Sequence, residues 1–97
     1  MLVEPVDVRP VTELTSAHFI AAGGAGMSGI AQAYAESGVR VTGSDQSDST
    51  ALRALAAAGV TTFVGHNADQ VGDVDVVVVS SAIKADNVER AAAVRRG

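Results

Sequence analysis

The sequence predicts an α/β fold, an open parallel sheet with helices on both faces, and three observations predict it. Short apolar runs alternate with segments of helical period; Gly38 and Gly59 are each followed at once by another apolar run; and residues 74–79 are almost unbroken valine, which suits a strand buried on both faces. A repeated β-α pattern of this kind gives parallel strands joined by right-handed crossovers, a Rossmann-like arrangement. The palette agrees, because 47% of the 97 residues are hydrophobic but only 3% aromatic, so Val, Ala, Leu and Ile must build the core.

Each element follows from local chemistry. Residues 1–16 carry Pro5 and Pro10 and no sustained period, so they read as a loose lead-in to a single domain over 17–97. A first strand is expected at 18–22, running straight into a glycine loop. Met27, Ile30, Ala31 and Tyr34 then fall on one helix face, and the helix should stop at Gly38, where the chain can turn left-handed. A second strand is expected at 39–42, ended by Gly43, Ser44 and Asp45. Ser47, Asp48, Ser49 and Thr50 all offer N-caps for a second helix that presents Leu52, Leu55 and Ala56 and closes at Gly59. Strands at 60–64 and 74–79 follow. Asp86 or Asn87 caps a last helix through Val94, with Arg95 and Arg96 where cations suit a helix C-terminus. Because Gly97 has no strand after it, the sheet is expected to be cut before a further strand, which would leave an edge prone to pairing.

The bulk numbers exclude several functions. A net charge of -4 argues against nucleic acid or an anionic membrane surface as the main partner. The absence of cysteine removes disulfides, thiolate metal sites and cysteine nucleophiles, and fits a cytoplasmic setting. The N-terminus carries no signal-peptide pattern, and no apolar run approaches bilayer length.

In open α/β sheets ligands gather beyond the carboxyl ends of the strands. Every expected strand here ends in suitable groups: Gly23 and Gly24, Ser44 and Asp45, Gly65 and His66, Ser80 and Ser81. Polar residues also simply mark turns, but four such ends on one edge favour a site. Gly24, Gly26 and Gly29 form G-x-G-x-x-G between strand and helix, the context that raises this pattern above chance. Gly24 permits the turn, Gly26 lets a diphosphate approach the backbone, Gly29 is expected to let helix and strand pack closely, and Ser28 adds a hydroxyl. The free amides of the first helical turn then meet phosphate oxygens. A Walker A loop is excluded, because Ile30 and Ala31 stand where Lys and Ser or Thr are required.

Asp45 lies about 20 residues beyond the first glycine of the pattern, where a carboxylate accepts from ribose hydroxyls, or serves only as a turn residue. His66 is evenly balanced between ligand contact and loop. His18, at a strand start, reads as structural; with only two histidines and no cysteine there is no metal-ligand cluster. Ser80 and Ser81 either bond a sugar or phosphate or satisfy the loop. Lys84, the only lysine, is a possible anion partner but more commonly a solvated one, and Asp73 and Asp75 read as solvated turn charges.

The runs HFIAAGGAGMSGIA at 18–31, VTGSD at 41–45, VGH at 64–66 and VVVVSSAI at 76–83 resemble the N-terminal domain of the Mur ligases of bacterial peptidoglycan synthesis, in particular the alanine-adding branch. The resemblance spans nearly everything after residue 17. The family usually has a further glycine where this chain has Ala21, and a larger apolar residue at Ala22. It implies a domain that binds the UDP part of UDP-N-acetylmuramic acid. By that resemblance Gly24, Ala25, Gly26, Met27 and Ser28 hold the diphosphate, Ser44, Asp45 and His66 contact the uridine side, and Ser80, Ser81, Ala82 and Ile83 line the rest of the cleft. In the family, ATP and Mg belong to a central domain, and a third domain completes the alanine site. The resemblance therefore implies that this segment binds substrate and catalyses nothing alone, with the other domains of the same chain as its partners.

Two other readings stay open on the residues alone. A nicotinamide-dinucleotide module of an oxidoreductase or regulatory protein fits the glycine pattern and Asp45 equally well. A purely structural Rossmann-like domain would leave Gly26 replaceable.

Overall fold

The computed structural model describes residues 2–3, 15–80 and 82–96. Five parallel strands form one sheet in the order β1-β5-β2-β3-β4, with β1 at Leu2–Val3, β2 at Ser16–Ile20, β3 at Arg40–Asp45, β4 at Thr61–Val64 and β5 at Val76–Val79. Helix α1 spans Ala25–Glu36, α2 Thr50–Ala57 and α3 Val88–Arg96, with a 3-10 turn at Ala68–Gln70. The chain winds from β2 outward through β3 to β4, then crosses back to β5 on the other side of β2. Strand order therefore reverses between β2 and β5, and that is where such sheets open a crevice.

Side-chain alternation splits the interior into two layers. Ala17, Phe19, Val41, Val76 and Val78 face one side, where Met27, Ala31 and Tyr34 of α1 and Leu52 and Leu55 of α2 cover them. Phe19 and Tyr34 meet edge-to-face with ring centroids 5.6 Å apart. Ile20, Val77 and Val79 face the other side, covered by Val71, Val74 and the Ala92 and Ala93 face of α3. All four valines of β5 are buried, as expected of a strand covered on both faces.

The caps follow local chemistry. Ser49 begins α2, its Oγ accepting from the Leu52 amide at 3.0 Å, and Asn87 begins α3, its Oδ1 accepting from the Glu89 and Arg90 amides at 2.9 and 3.2 Å. Gly38 and Gly59 follow α1 and α2 with φ of 93° and 101°, the left-handed geometry that glycine adopts freely.

Several expectations need correction. The lead-in is not wholly loose, since Leu2 and Val3 pair with Val77 and Val78 and occupy the outer edge of β5. Strand β2 ends at Ile20, so Ala21 and Ala22 belong to the turn. Strand β3 runs on through Gly43, Ser44 and Asp45, because ladders on both sides, Phe19 with Gly43 and Gly43 with Thr62, carry it past the glycine. A Cβ on Gly29 would meet nothing within 4 Å, so Gly29 is not a close-packing position among the described residues. The close approach is instead at Gly43, where a Cβ would lie 2.7 Å from the Ala22 Cβ. Gly43→Ala should therefore destabilise the domain by about 1–3 kcal/mol in denaturant unfolding, through forced separation of β3 from the turn after β2.

Asp75 is also more than a solvated charge. Its Oδ2 accepts from the Thr15 amide at 2.8 Å and the Thr15 hydroxyl at 2.7 Å, while its own amide donates to Ser16 Oγ at 3.0 Å. The Thr15 amide and hydroxyl lower its pKa, and the pair of loops so pinned sets the start of β2 against the start of β5. Asp73 remains fully exposed, with Arg96 3.7 Å away.

A cleft at the carboxyl edge of the sheet

Two adjoining hollows open over the carboxyl ends of β2 and β5 and share Ala21, Ala82 and Ile83 in their walls. One, of about 310 Å³, has the glycine loop as its other wall, with Gly24, Gly26, Met27 and Ser80. The second, of about 460 Å³, extends towards β3 and β4 and is walled by Asp45, Gln46, His66 and Lys84. Their position is the reversal of strand order, where this class of sheet binds ligands.

The glycine-loop half is built by the start of α1. Gly24 is the N-cap without a side-chain cap, and its carbonyl accepts from the Met27 and Ser28 amides at 3.1 and 3.0 Å. The Gly26 amide has no acceptor among the described residues and lies at the positive end of the helix. A Cβ at Gly26 would meet nothing within 4 Å, so the backbone there is open to a bound group. Met27 lines this half, but its side chain packs mostly into the core, so it offers the hollow only apolar surface.

Ala21 holds this corner in a strained way. Its φ of 64° is left-handed, a conformation that costs a side-chain-bearing residue about 1–2 kcal/mol. Ala21→Gly should accordingly raise unfolding stability by up to about 1 kcal/mol, the gain being reduced by the greater freedom of glycine in the unfolded chain.

Asp45 lines the larger hollow. Its Oδ2 accepts from the Gly23 amide at 3.0 Å and its Oδ1 from the Gln46 amide at 2.8 Å, so the carboxylate ties β3 to the glycine loop while still lining the cleft. Ser80 lines the loop half; its Oγ accepts from the Ala82 amide at 3.1 Å and its carbonyl from the Ile83 amide at 3.0 Å, which ties Ala82 and Ile83 to the end of β5 beside the cleft. Ser81 lies outside the described residues.

Ser44 requires correction. It has no exposed surface and lines neither hollow, and its Oγ donates to Glu89 Oε1 at 2.7 Å, so it supports the site from behind instead of touching the uridine side.

Glu89 is the residue that the sequence reading missed. It projects from α3 onto the sheet face shared by His18, Thr42 and Ser44, is fully buried, and is satisfied by five donors. Oε1 accepts from His18 Nε2 at 2.5 Å and from Ser44, and Oε2 accepts from the Asn67 amide at 3.1 Å, Gln70 Nε2 at 2.9 Å and His66 Nδ1 at 3.1 Å. On the far side of His18, the Thr42 hydroxyl meets Nδ1 at 2.7 Å. Burial pushes the Glu89 carboxyl up, but the hydrogen bonds from His18 and Ser44, the charge of His18 and the Asn67 amide together outweigh it and hold the group at about 2. His18 is thus structural, while His66, whose side chain keeps 17% of its surface exposed, lines the larger hollow. The signal available in the sequence was positional. Glu89 shares a helix face with Ala92 and Ala93, so a carboxylate there must be buried and partnered.

Comparison with known proteins agrees with the fold. The model of the Mur ligase family, catalytic domain, matches residues 16–97. UDP-N-acetylmuramate--L-alanine ligase of Thermobifida fusca is 54% identical over 91% of this chain and 19% of its own length. The ligase of the same name from Cutibacterium acnes is 50% identical over 97% of this chain and 20% of its own. The chain thus spans about a fifth of the length of the curated relatives it matches. Among solved structures, UDP-N-acetylmuramate-alanine ligase from Thermotoga maritima superposes with a TM-score of 0.80 at 33% identity, covering 84% of this chain and 19% of that one. A UDP-N-acetylmuramate:L-alanyl-γ-D-glutamyl-meso-diaminopimelate ligase from Neisseria does so with a TM-score of 0.76 at 28% identity, covering 87% and 27%. With the family model matching residues 16–97 and the sheet superposing on solved ligases of that family, the chain belongs to the Mur ligase family.

Proposed function

We propose that this chain supplies the UDP-N-acetylmuramic acid-binding part of an ATP-dependent ligase that joins L-alanine to that nucleotide sugar. The observation that carries the reading is the continuity of the two hollows. A glycine-loop half with an open amide suits a diphosphate, and the adjoining half, with Asp45 and His66, suits the hydroxyls and N-H groups of a nucleoside. The diphosphate lies against the loop of residues 24–28, with the amides of Ala25 and Gly26 and the Ser28 hydroxyl as donors. Asp45 and His66 take the uridine side, and Ser80, Ser81, Ala82 and Ile83 close the cleft over the remainder.

ATP and Mg belong to the rest of such a ligase. This chain's own loop does not fit them, because Ile30 and Ala31 replace the lysine and hydroxyl that a phosphate loop for ATP requires. No step of amide formation is therefore assigned to these residues; their part is to bind and orient the nucleotide sugar. The domains holding the acyl-activating chemistry are its partners within one longer chain. Among the described residues no helix is long and apolar enough to cross a membrane.

Thermal unfolding tests the reading. UDP-N-acetylmuramic acid at about 100 times its Kd should stabilise the chain by about 2.7 kcal/mol, and NAD at the same concentration should leave Tm unchanged. Stabilisation by NAD alone would reassign the cleft to a dinucleotide. Alanine-dependent ATP turnover by the chain alone would contradict its assignment as a binding part.

A further inference from the structure

The buried carboxylate behind the cleft determines which nitrogen of His66 carries a proton. Ser44 Oγ spends its hydrogen on Glu89 Oε1 at 2.7 Å, so at its 3.1 Å contact with His66 Nδ1 it has only lone pairs to offer. Glu89 Oε2, also 3.1 Å from Nδ1, is an acceptor as well. Two acceptors on one ring nitrogen require that nitrogen to be the donor. His66 lines the larger hollow, and with Nδ1 turned to Ser44 and Glu89 its Nε2 is the ring nitrogen left without a partner among the described residues. His18 is held by its other nitrogen, with Nε2 donating to Glu89, while Nδ1 meets the Thr42 hydroxyl, a group able to donate or to accept.

We infer that Glu89 is the positioning residue of the cleft: it draws the His66 proton to Nδ1 and so presents Nε2 as a bare acceptor, selecting a ligand that offers a hydrogen-bond donor there. Glu89 touches no ligand itself. It acts from α3 across the sheet and, through Oε2, also holds the Asn67 amide and the Gln70 side chain, so the whole segment after β4 is clamped in the geometry that aims the ring. The proton assignment stands on the protein alone; only the identity of the donor rests on the nucleotide-sugar reading.

The first test needs no ligand. Ring 15N NMR of the histidine-labelled chain at about pH 8 reads which nitrogens are protonated. His66 is expected with its proton on Nδ1 and none on Nε2, opposite to the preference of free histidine, and His18 with a proton on Nε2. A proton on His66 Nε2, whether as the other tautomer or on a doubly protonated ring, overturns the inference.

Titration calorimetry with UDP-N-acetylmuramic acid then tests the consequence. His66→Ala should weaken binding about tenfold, the worth of one hydrogen bond. Glu89→Gln retains a carbonyl that can serve the Asn67 and His66 side, since the Asn67 amide cannot reverse its polarity. It should keep the His66 proton on Nδ1, move the His18 proton to Nδ1, and bind within about threefold of the parent. In the His66→Ala background, Glu89→Gln should have no further effect. A loss there would mean that Glu89 acts on the ligand by a route other than His66, which sinks the positioning role. Correct proton positions with no affinity for the nucleotide sugar would remove the ligand reading and leave the Glu89 and His66 assignment supported.

Discussion

Glu89→Ala should cost the fold about 3–5 kcal/mol, a large part of the 5–15 kcal/mol that stabilises a domain of this size. The reason lies less in the lost attraction than in what remains: His18 and Ser44 are fully buried, and without the carboxylate their donors face no acceptor. The same group links stability to acid. Its folded value of about 2 lies below the ordinary 4.5, so the stabilisation is complete above about pH 4.5 and is lost as pH falls through that value towards about 2. Its size is roughly 3 kcal/mol by linkage, in line with the truncation estimate. Denaturant unfolding of the parent between pH 6 and pH 2 should show the decline, and the Glu89→Ala chain should show much less of it; equal slopes in the two would show that other carboxylates carry the acid sensitivity.

Gly26→Val is expected to separate folding from binding. Nothing lies within 4 Å of a Cβ at Gly26, the residue is exposed on the first turn of α1, and valine is a better helix former than glycine, so stability should hold within about 0.5 kcal/mol or improve. The same isopropyl group would occupy the space where a diphosphate must approach the backbone, and affinity for the nucleotide sugar should fall by about 100-fold or more. Unchanged affinity in the folded variant would return the loop to a turn with no ligand.

Most of the fold is legible because its signals are local. Gly38 and Gly59 need left-handed angles, Ser49 and Asn87 need only their own side chains to cap a helix, and the β5 valines declare double burial without reference to any partner. What escaped the sequence reading depends on tertiary pairing. The extension of β3 through Gly43 comes from two neighbouring ladders, and the strand at Leu2 and Val3 exists only because β5 offers an edge. Gly29 and Gly43 exchange roles for the same reason, since only the packed structure shows which backbone another element approaches. Within the site, the glycine loop, Asp45 and His66 could be named from spacing and strand ends. Glu89 carried only the positional signal of sharing a helix face with Ala92 and Ala93, which is easily passed over because a carboxylate on a helix ordinarily faces water; its burial depends on His18, Ser44 and His66 arriving from three separate strands and loops.

The most direct test of the binding assignment is a two-dimensional NMR titration of the 15N-labelled chain with UDP-N-acetylmuramic acid, run beside an identical titration with NAD. The nucleotide sugar alone should shift residues 24–28, Asp45, His66 and residues 80–83, tracing both halves of the cleft. Shifts with NAD instead, or with neither, would contradict a nucleotide-sugar site at this edge of the sheet.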